Sequence, residues 1–131
     1  MRETEPPTCR RVLLVAEDRR FRALACTLLT RRGYSVTSSL PGDDLVGAAV
    51  RTSADVVVID ASASLTAAAR EAARLGALDP PVAIVAVSAH CHTGLATLPV
   101  IPKWSPFTAL FAAIEETSAK VAPDEVTSAA L

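Results

Sequence analysis

The sequence predicts an α/β fold in which a doubly wound, five-stranded parallel sheet is covered by helices on both faces. Runs of consecutive apolar residues at 12–15, 56–59 and 82–87 are too short for helices and lack the polar alternation of half-exposed strands. Helical patterns separate the runs. Strands buried on both faces and separated by helices are typical of a parallel sheet between two helical layers.

The composition is that of one globular domain. The chain has 131 residues, of which 50% are hydrophobic and 21% charged, enough apolar material to bury a core. We expect a domain over 10–120, with an extended or disordered segment at 1–9 and a tail at 121–131. The net charge of -1 provides no general attraction for nucleic acid or an anionic membrane.

The compartment is predicted from apolar runs and cysteines. No apolar run reaches the roughly 18 residues needed to span a bilayer. Cys9, Cys26 and Cys91 are odd in number and lack C-x-x-C spacing, which favours free thiols. We therefore expect a cytoplasmic protein.

The first strand and helix have the clearest patterns. The strand is expected over 11–15, and Asp18 can then cap a helix that ends at Gly33. The apolar positions of this helix fall at i, i+3, i+4, i+7 and i+8 and are Phe21, Leu24, Ala25, Leu28 and Leu29.

The remaining elements repeat the same order. Pro41 and the acids Asp43 and Asp44 suit the start of a second helix, which we expect over 41–50. Further helices are predicted from Leu65 to about Gly76 and after Lys103. The other strands are predicted at 34–39, 54–59, 82–87 and 98–101.

Polar side chains stand where the predicted strands end. In chain order they are Glu17 and Asp18, Asp60, Ser88 and Lys103. The carboxyl ends of parallel strands meet at one edge of a sheet, so these groups are expected to converge. Carboxylates can bind Mg²⁺ or accept a phosphoryl group, and a hydroxyl and an ammonium group can bind its oxygens. Each residue alone could equally be a helix cap or a surface group.

These residues and their order resemble the receiver domain of two-component response regulators, which has the flavodoxin/CheY-like fold. The resemblance extends from Arg10 to about Lys120. It is carried by four segments: RVLLVAEDRRFRALACTLLTRRGYSV, ADVVVID, PPVAIVAVSA and IPKWSPFTAL.

The resemblance implies a role for each strand-end residue. Asp60 matches the aspartate that accepts a phosphoryl group from a histidine kinase or a small phosphodonor. Ser88 matches the switch hydroxyl, and Lys103 matches the lysine that pairs with the phosphoryl oxygens. The implied Mg²⁺ ligands are Glu17, Asp18, Asp60 and Ser62.

The chain also departs from the family pattern. Ala16 stands where the first acid is usual, Val100 replaces the switch aromatic, and Trp104 replaces the proline after the lysine. Ser88 and Lys103 are only 15 positions apart in the sequence, which predicts a shortened fourth helix. We therefore expect a weakened Mg²⁺ site and an atypical receiver. The alternative is a pseudo-receiver that never carries phosphate and acts as a dimer or adaptor.

Enzyme functions are disfavoured by what the loops lack. An aspartate-nucleophile phosphatase needs a second acid two residues after the nucleophile, where Ser62 stands. A dinucleotide-binding enzyme needs a glycine-rich turn after the first strand. Residues 16–19, which follow that strand here, include no glycine.

Two surfaces suggest partners. The segment 80–102 has no charged residue if histidine is neutral, which favours a homodimer or a downstream protein contact there, although a buried strand with a tight loop would explain it too. Seven arginines on or beside the first helix are expected to form a solvated face, with docking of a kinase as the alternative. Metal binding by the triplet 90–92 is disfavoured, because three consecutive residues cannot all face one ion.

Overall fold

The computed structural model describes residues 10–78, 81–89, 100–104 and 107–121, with side chains up to 118. The strands are β1 (Arg11–Val15), β2 (Ser35–Ser39), β3 (Val56–Asp60), β4 (Ala83–Ser88) and β5 (Val100–Pro102). The helices are α1 (Arg19–Arg31), α2 (Leu45–Thr52), α3 (Leu65–Gly76) and α4 (Phe107–Val121).

The five strands form one parallel sheet in the order β2-β1-β3-β4-β5. Alternate residues of its central strands pack into two separate cores, one on each face. Helices α1 and α4 cover one face, and α2 and α3 cover the other. The predicted doubly wound architecture is confirmed. The shortened fourth helix was predicted between Ser88 and Lys103, and most of that segment lies outside the described residues.

Helix α1 begins and ends as its sequence predicts. The Asp18 Oδ1 atom accepts the backbone N–H of Phe21 at 3.1 Å, which caps the first turn. Gly33 follows the last turn with φ = 104°, a conformation that glycine adopts without steric cost. Phe21 is fully buried beneath the sheet edge, whereas Leu24 is 42% exposed and lies outside the apolar stripe to which its spacing assigned it.

Helix α2 begins later than predicted. Residues 41–44 precede the helix, and Asp44 caps it by accepting the N–H of Gly47 at 3.1 Å. Asp43 instead closes a turn, because its Oδ2 atom accepts the N–H of Leu40 at 2.8 Å. Pro41 therefore lies in this turn and does not open the helix. The left-handed Ser53 (φ = 53°) ends α2 after Thr52.

Other boundaries differ by one or two residues. β3 starts at Val56 and includes Asp60, and β4 includes Ser88, so both polar residues belong to strands. β5 is described only from Val100. None of the helices in the described ranges is long and apolar enough to cross a membrane.

A polar cluster joins α4 to the start of β2. The Tyr34 hydroxyl donates to the Glu115 carboxylate, whose other oxygen lies 3.4 Å from Arg10 Nε. The Arg32 guanidinium lies 4.5 Å from the centre of the Phe111 ring beside it. Burial, and then the bond to Glu115, raises the pKa of Tyr34 to about 12.

Tyr34 is therefore expected to stabilise the fold only while it is protonated. Its contribution is full below its ordinary pKa of 10 and is lost as the pH rises towards 12. Tyr34 is the only tyrosine of the chain, so near-ultraviolet tyrosinate absorbance measures its titration directly. We expect a midpoint near 12 in the folded protein and near 10 in denaturant. Tyr34→Phe should lower the free energy of unfolding at pH 7 by about 1–2 kcal/mol. Equal midpoints in folded and denatured protein would contradict this.

Candidate functional site

The carboxyl-terminal edge of the sheet gathers three charged groups. Lys103 follows β5, Asp60 ends β3, and Asp18 lies between β1 and α1. Lys103 Nζ is 2.7 Å from Asp60 Oδ2 and 2.9 Å from Asp18 Oδ2. One ammonium group therefore bridges two carboxylates that are 42 positions apart in the chain.

Backbone and ring contacts hold Lys103 in place. Its backbone N–H donates to the Ser88 carbonyl oxygen at 2.8 Å, which continues the β4–β5 ladder. Its Nζ atom lies 5.4 Å from the Phe21 ring centre and 5.7 Å from that of Trp104, and these two rings meet edge to face. Only 6% of the side chain is exposed. The ammonium group is thus positioned by β5 and by aromatic packing.

The two carboxylates keep Lys103 charged. Burial alone lowers the pKa of Lys103, but hydrogen bonds to Asp60 and Asp18 outweigh this and raise it above its ordinary value. Conversely, the bond to Lys103 and the bond from the Phe21 N–H lower the pKa of Asp18.

Both oxygens of Asp60 have partners. Oδ2 binds Lys103, and Oδ1 accepts the backbone N–H of Ser62 at 2.9 Å. The Asp60 side chain is 8% exposed. The Ser62 hydroxyl accepts the N–H of Ala89 at 2.9 Å, and this bond links the loop after β3 to the end of β4. The loop that holds Asp60 is therefore tied to the neighbouring strand.

A cleft of about 480 Å³ opens beside these groups. Its apolar wall includes Val15, Leu45 and Ile59, and its polar residues include Asp18, Asp60 and Lys103.

The remaining predicted site residues take different positions. Exposed Glu17 lines this cleft, and Ser88 is 2% exposed at the end of β4. Val100, in place of the switch aromatic, is half-buried. The convergence predicted for the strand ends is thus found for Asp18, Asp60 and Lys103 directly, and for Ser88 through its backbone.

Arg22 is a site residue that the sequence reasoning missed. Its Nη1 atom donates to the Ala16 carbonyl oxygen at 2.7 Å, at the end of β1. In the sequence it is one of a run of arginines assigned to a solvated helix face, and nothing in that pattern distinguishes it. Only the path of the loop between β1 and α1 brings it to the strand end.

Magnesium is the cofactor that the resemblance implies, and the described side chains do not fit it. Among residues 10–78, 81–89, 100–104 and 107–118, no three His, Cys, Asp or Glu side chains are grouped to hold a metal ion. Asp18 and Asp60 both bind Lys103, and the Ser62 hydroxyl is engaged by Ala89. Glu17, Asp18, Asp60 and Ser62 stay predicted ligands only, since Asp18 and Asp60 are already paired with Lys103.

The fold is that of response regulator receiver domains. A CheY-like receiver domain from Methylobacillus flagellatus superposes with a TM-score of 0.70 at 20% identity, covering 84% of this chain and 99% of that one. A response regulator from Burkholderia pseudomallei, solved with a phosphorylated aspartic acid, a calcium ion and citrate, gives 0.70 at 17% identity over 91% and 74%.

A further similar chain comes from a complex of the histidine kinase ThkA with the response regulator protein TrrA. Its TM-score is 0.65 at 16% identity, covering 82% of this chain and 97% of that one. No protein-family model matches the sequence, and a search of curated proteins finds no match. At these identities the likeness defines the receiver fold, and function has to be argued from the site.

The bridge between Asp18 and Lys103 can be tested by a matched pair of neutral substitutions. Asp18→Asn keeps a good helix cap but removes the charge, so it should lower the melting temperature at pH 7. Since the pKa of Asp18 is depressed, this difference should shrink as the pH falls below the ordinary value of 3.8. Exposed Glu17→Gln makes the same charge change and should alter stability by less than about 0.5 kcal/mol. Thermal unfolding of each variant measures the loss of stability. Equal losses in Asp18→Asn and Glu17→Gln would contradict a specific bridge.

Proposed function

We propose that the protein is an atypical receiver domain in phosphorelay signal transduction, with Asp60 as the phosphoacceptor. The observation that carries the proposal is the Asp60 carboxylate, 2.7 Å from a buried ammonium group at the carboxyl-terminal edge of a receiver-fold sheet. A protein of the same fold with a phosphorylated aspartic acid supports it.

The chemistry proposed for Asp60 is a phosphoryl transfer. A carboxylate oxygen attacks phosphorus, and the bond to the donor breaks as its electrons leave with the imidazole of a histidine kinase or with a small carboxylate. The cleft beside Asp60 provides the direction of approach. Lys103 would then donate to a phosphoryl oxygen, which places a cation against the charge that develops there. Ser88 is the proposed hydroxyl partner of the same group.

The partners and place of action are part of this proposal. A histidine kinase or a small phosphodonor would supply the phosphoryl group, and the kinase complex among the similar structures supports the first. The domain would act through protein contacts and not as an enzyme. Its cytoplasmic location stays a prediction.

A phosphorylation-independent pseudo-receiver is the second candidate. Two observations favour it. Both Asp60 oxygens already have partners, and Lys103 binds Asp18 as well as Asp60. An acceptor held in this way must break an ion pair before it attacks. The protein would then act as a dimer or adaptor whose surface does not depend on phosphate.

Phosphodonor treatment distinguishes the two candidates. Incubation with acetyl phosphate or phosphoramidate, with and without MgCl₂, should add one phosphoryl group to the intact mass of the wild type. Asp60→Asn removes the nucleophile and should abolish the gain, whereas Asp55→Asn, the same change at an exposed residue before the opposite end of β3, should retain it. The adduct should hydrolyse in alkali, as an acyl phosphate does. An unchanged mass under all conditions would support the pseudo-receiver, and a gain retained by Asp60→Asn would place the acceptor elsewhere.

A homodimer through the 80–102 face remains a prediction. Strand β4 within it is buried, which by itself explains its lack of charge. Ala89 is exposed at the end of that strand. Ala89→Lys should shift sedimentation towards the monomer, whereas Val50→Lys, on the 62% exposed Val50 of α2, should not. Monomeric wild type would contradict the dimer.

A further inference from the structure

Two carboxylates that could bind a divalent ion already share one ammonium group. Asp18 and Asp60 both lie within 3 Å of Lys103 Nζ, at 2.9 and 2.7 Å. We infer that Lys103 is the resident cation of this site, so that the unmodified protein keeps Mg²⁺ out and gains a Mg²⁺ site when Lys103 loses its charge or when a further carboxylate outweighs it. This inference does not require Asp60 to be phosphorylated.

The charge balance supports the inference. The ammonium group already neutralises one of the two carboxylates that it bridges, so a Mg²⁺ ion would have to compete with Lys103 for their oxygens. Mg²⁺ binding at both carboxylates would bring a doubly charged ion against the ammonium group. Lys103 cannot withdraw easily, because its backbone is bonded to Ser88 and its side chain packs against the Phe21 and Trp104 rings.

Ala16, at the end of β1, supplies no side-chain ligand in place of these carboxylates, and Glu17 after it is exposed in the cleft. β1 and β3 pair Val12 with Val56 and Leu14 with Val58. Continuing this register places Ala16 beside Asp60 on the same face of the sheet. Ala16 has no side-chain oxygen, and its carbonyl oxygen accepts the Arg22 guanidinium at 2.7 Å. A second cation, the Arg22 guanidinium, therefore already binds the Ala16 carbonyl oxygen.

The register identifies the change that should add a donor. Ala16→Asp would place a third carboxylate next to Asp60 and raise the net negative charge of the group to two. Lys103→Met would keep a long, unbranched side chain against the rings while removing the cation. Both substitutions should favour Mg²⁺, the first by adding a ligand and the second by freeing two.

The experiment measures Mg²⁺ binding without any phosphodonor. Trp104 is the only tryptophan of the chain and adjoins Lys103, so its fluorescence reports on the site. We would titrate MgCl₂ through the millimolar range at ionic strength held constant with NaCl, and record melting temperatures in parallel. Wild type should show no saturable change. Lys103→Met should show a saturable fluorescence change within this range and a rise in melting temperature.

Controls separate the site from general effects of salt. Adding Asp60→Asn to Lys103→Met should remove the gained response, whereas adding Asp55→Asn, before the opposite end of β3, should leave it. If Lys103→Met does not fold, Ala16→Asp is compared with wild type in the same way. Saturable Mg²⁺ binding by the wild type that is lost in Asp60→Asn overturns the inference. The absence of any response in folded Lys103→Met overturns it too. Neither result depends on whether acetyl phosphate modifies Asp60. Failure of the proposed phosphorylation can therefore be distinguished from failure of this inference.

Discussion

The ammonium group of Lys103, held between Asp18 and Asp60, is the interaction on which the architecture of the site depends. It joins the end of β5 to the end of β3 and to the loop after β1. Two carboxylates this close to one point would repel each other without it. Removing the cation would leave buried charge uncompensated, which is far more costly than losing an exposed ion pair.

The same bridge connects the site to helix α1. Asp18 uses one oxygen to cap the helix at Phe21 and the other to bind Lys103. The Phe21 ring in turn packs against Trp104, next to Lys103. A phosphoryl group on Asp60 would compete with Asp18 for Lys103. Because Asp18 also caps α1, losing its bond to Lys103 would affect the start of that helix. This offers a route from the site to a surface without the switch aromatic that Val100 replaces.

The sequence predicted the central strands well because their information is local. Consecutive apolar residues such as those of β3 can be satisfied only by burial on both faces, and the Asp18 cap and Gly33 stop act within one helical turn. The start of α2 was missed because Pro41, Asp43 and Asp44 suit the first turn of a helix as well as they suit a turn that precedes one. The choice depends on the turn that Leu40 makes with Asp43, which composition does not indicate.

By itself, the sequence determined that the sheet is parallel and in which order the strand-end residues occur. It also determined that position 16 carries alanine and no carboxylate. These features follow from the hydrophobic pattern and from residue identity alone. Only the tertiary structure decided that Asp18 binds Lys103, that Arg22 binds the Ala16 carbonyl oxygen after β1, and that Glu17 is exposed. Which oxygen meets which cation depends on strand register and on the path of three loops. Those are set by packing between residues far apart in the chain, and no local pattern encodes them.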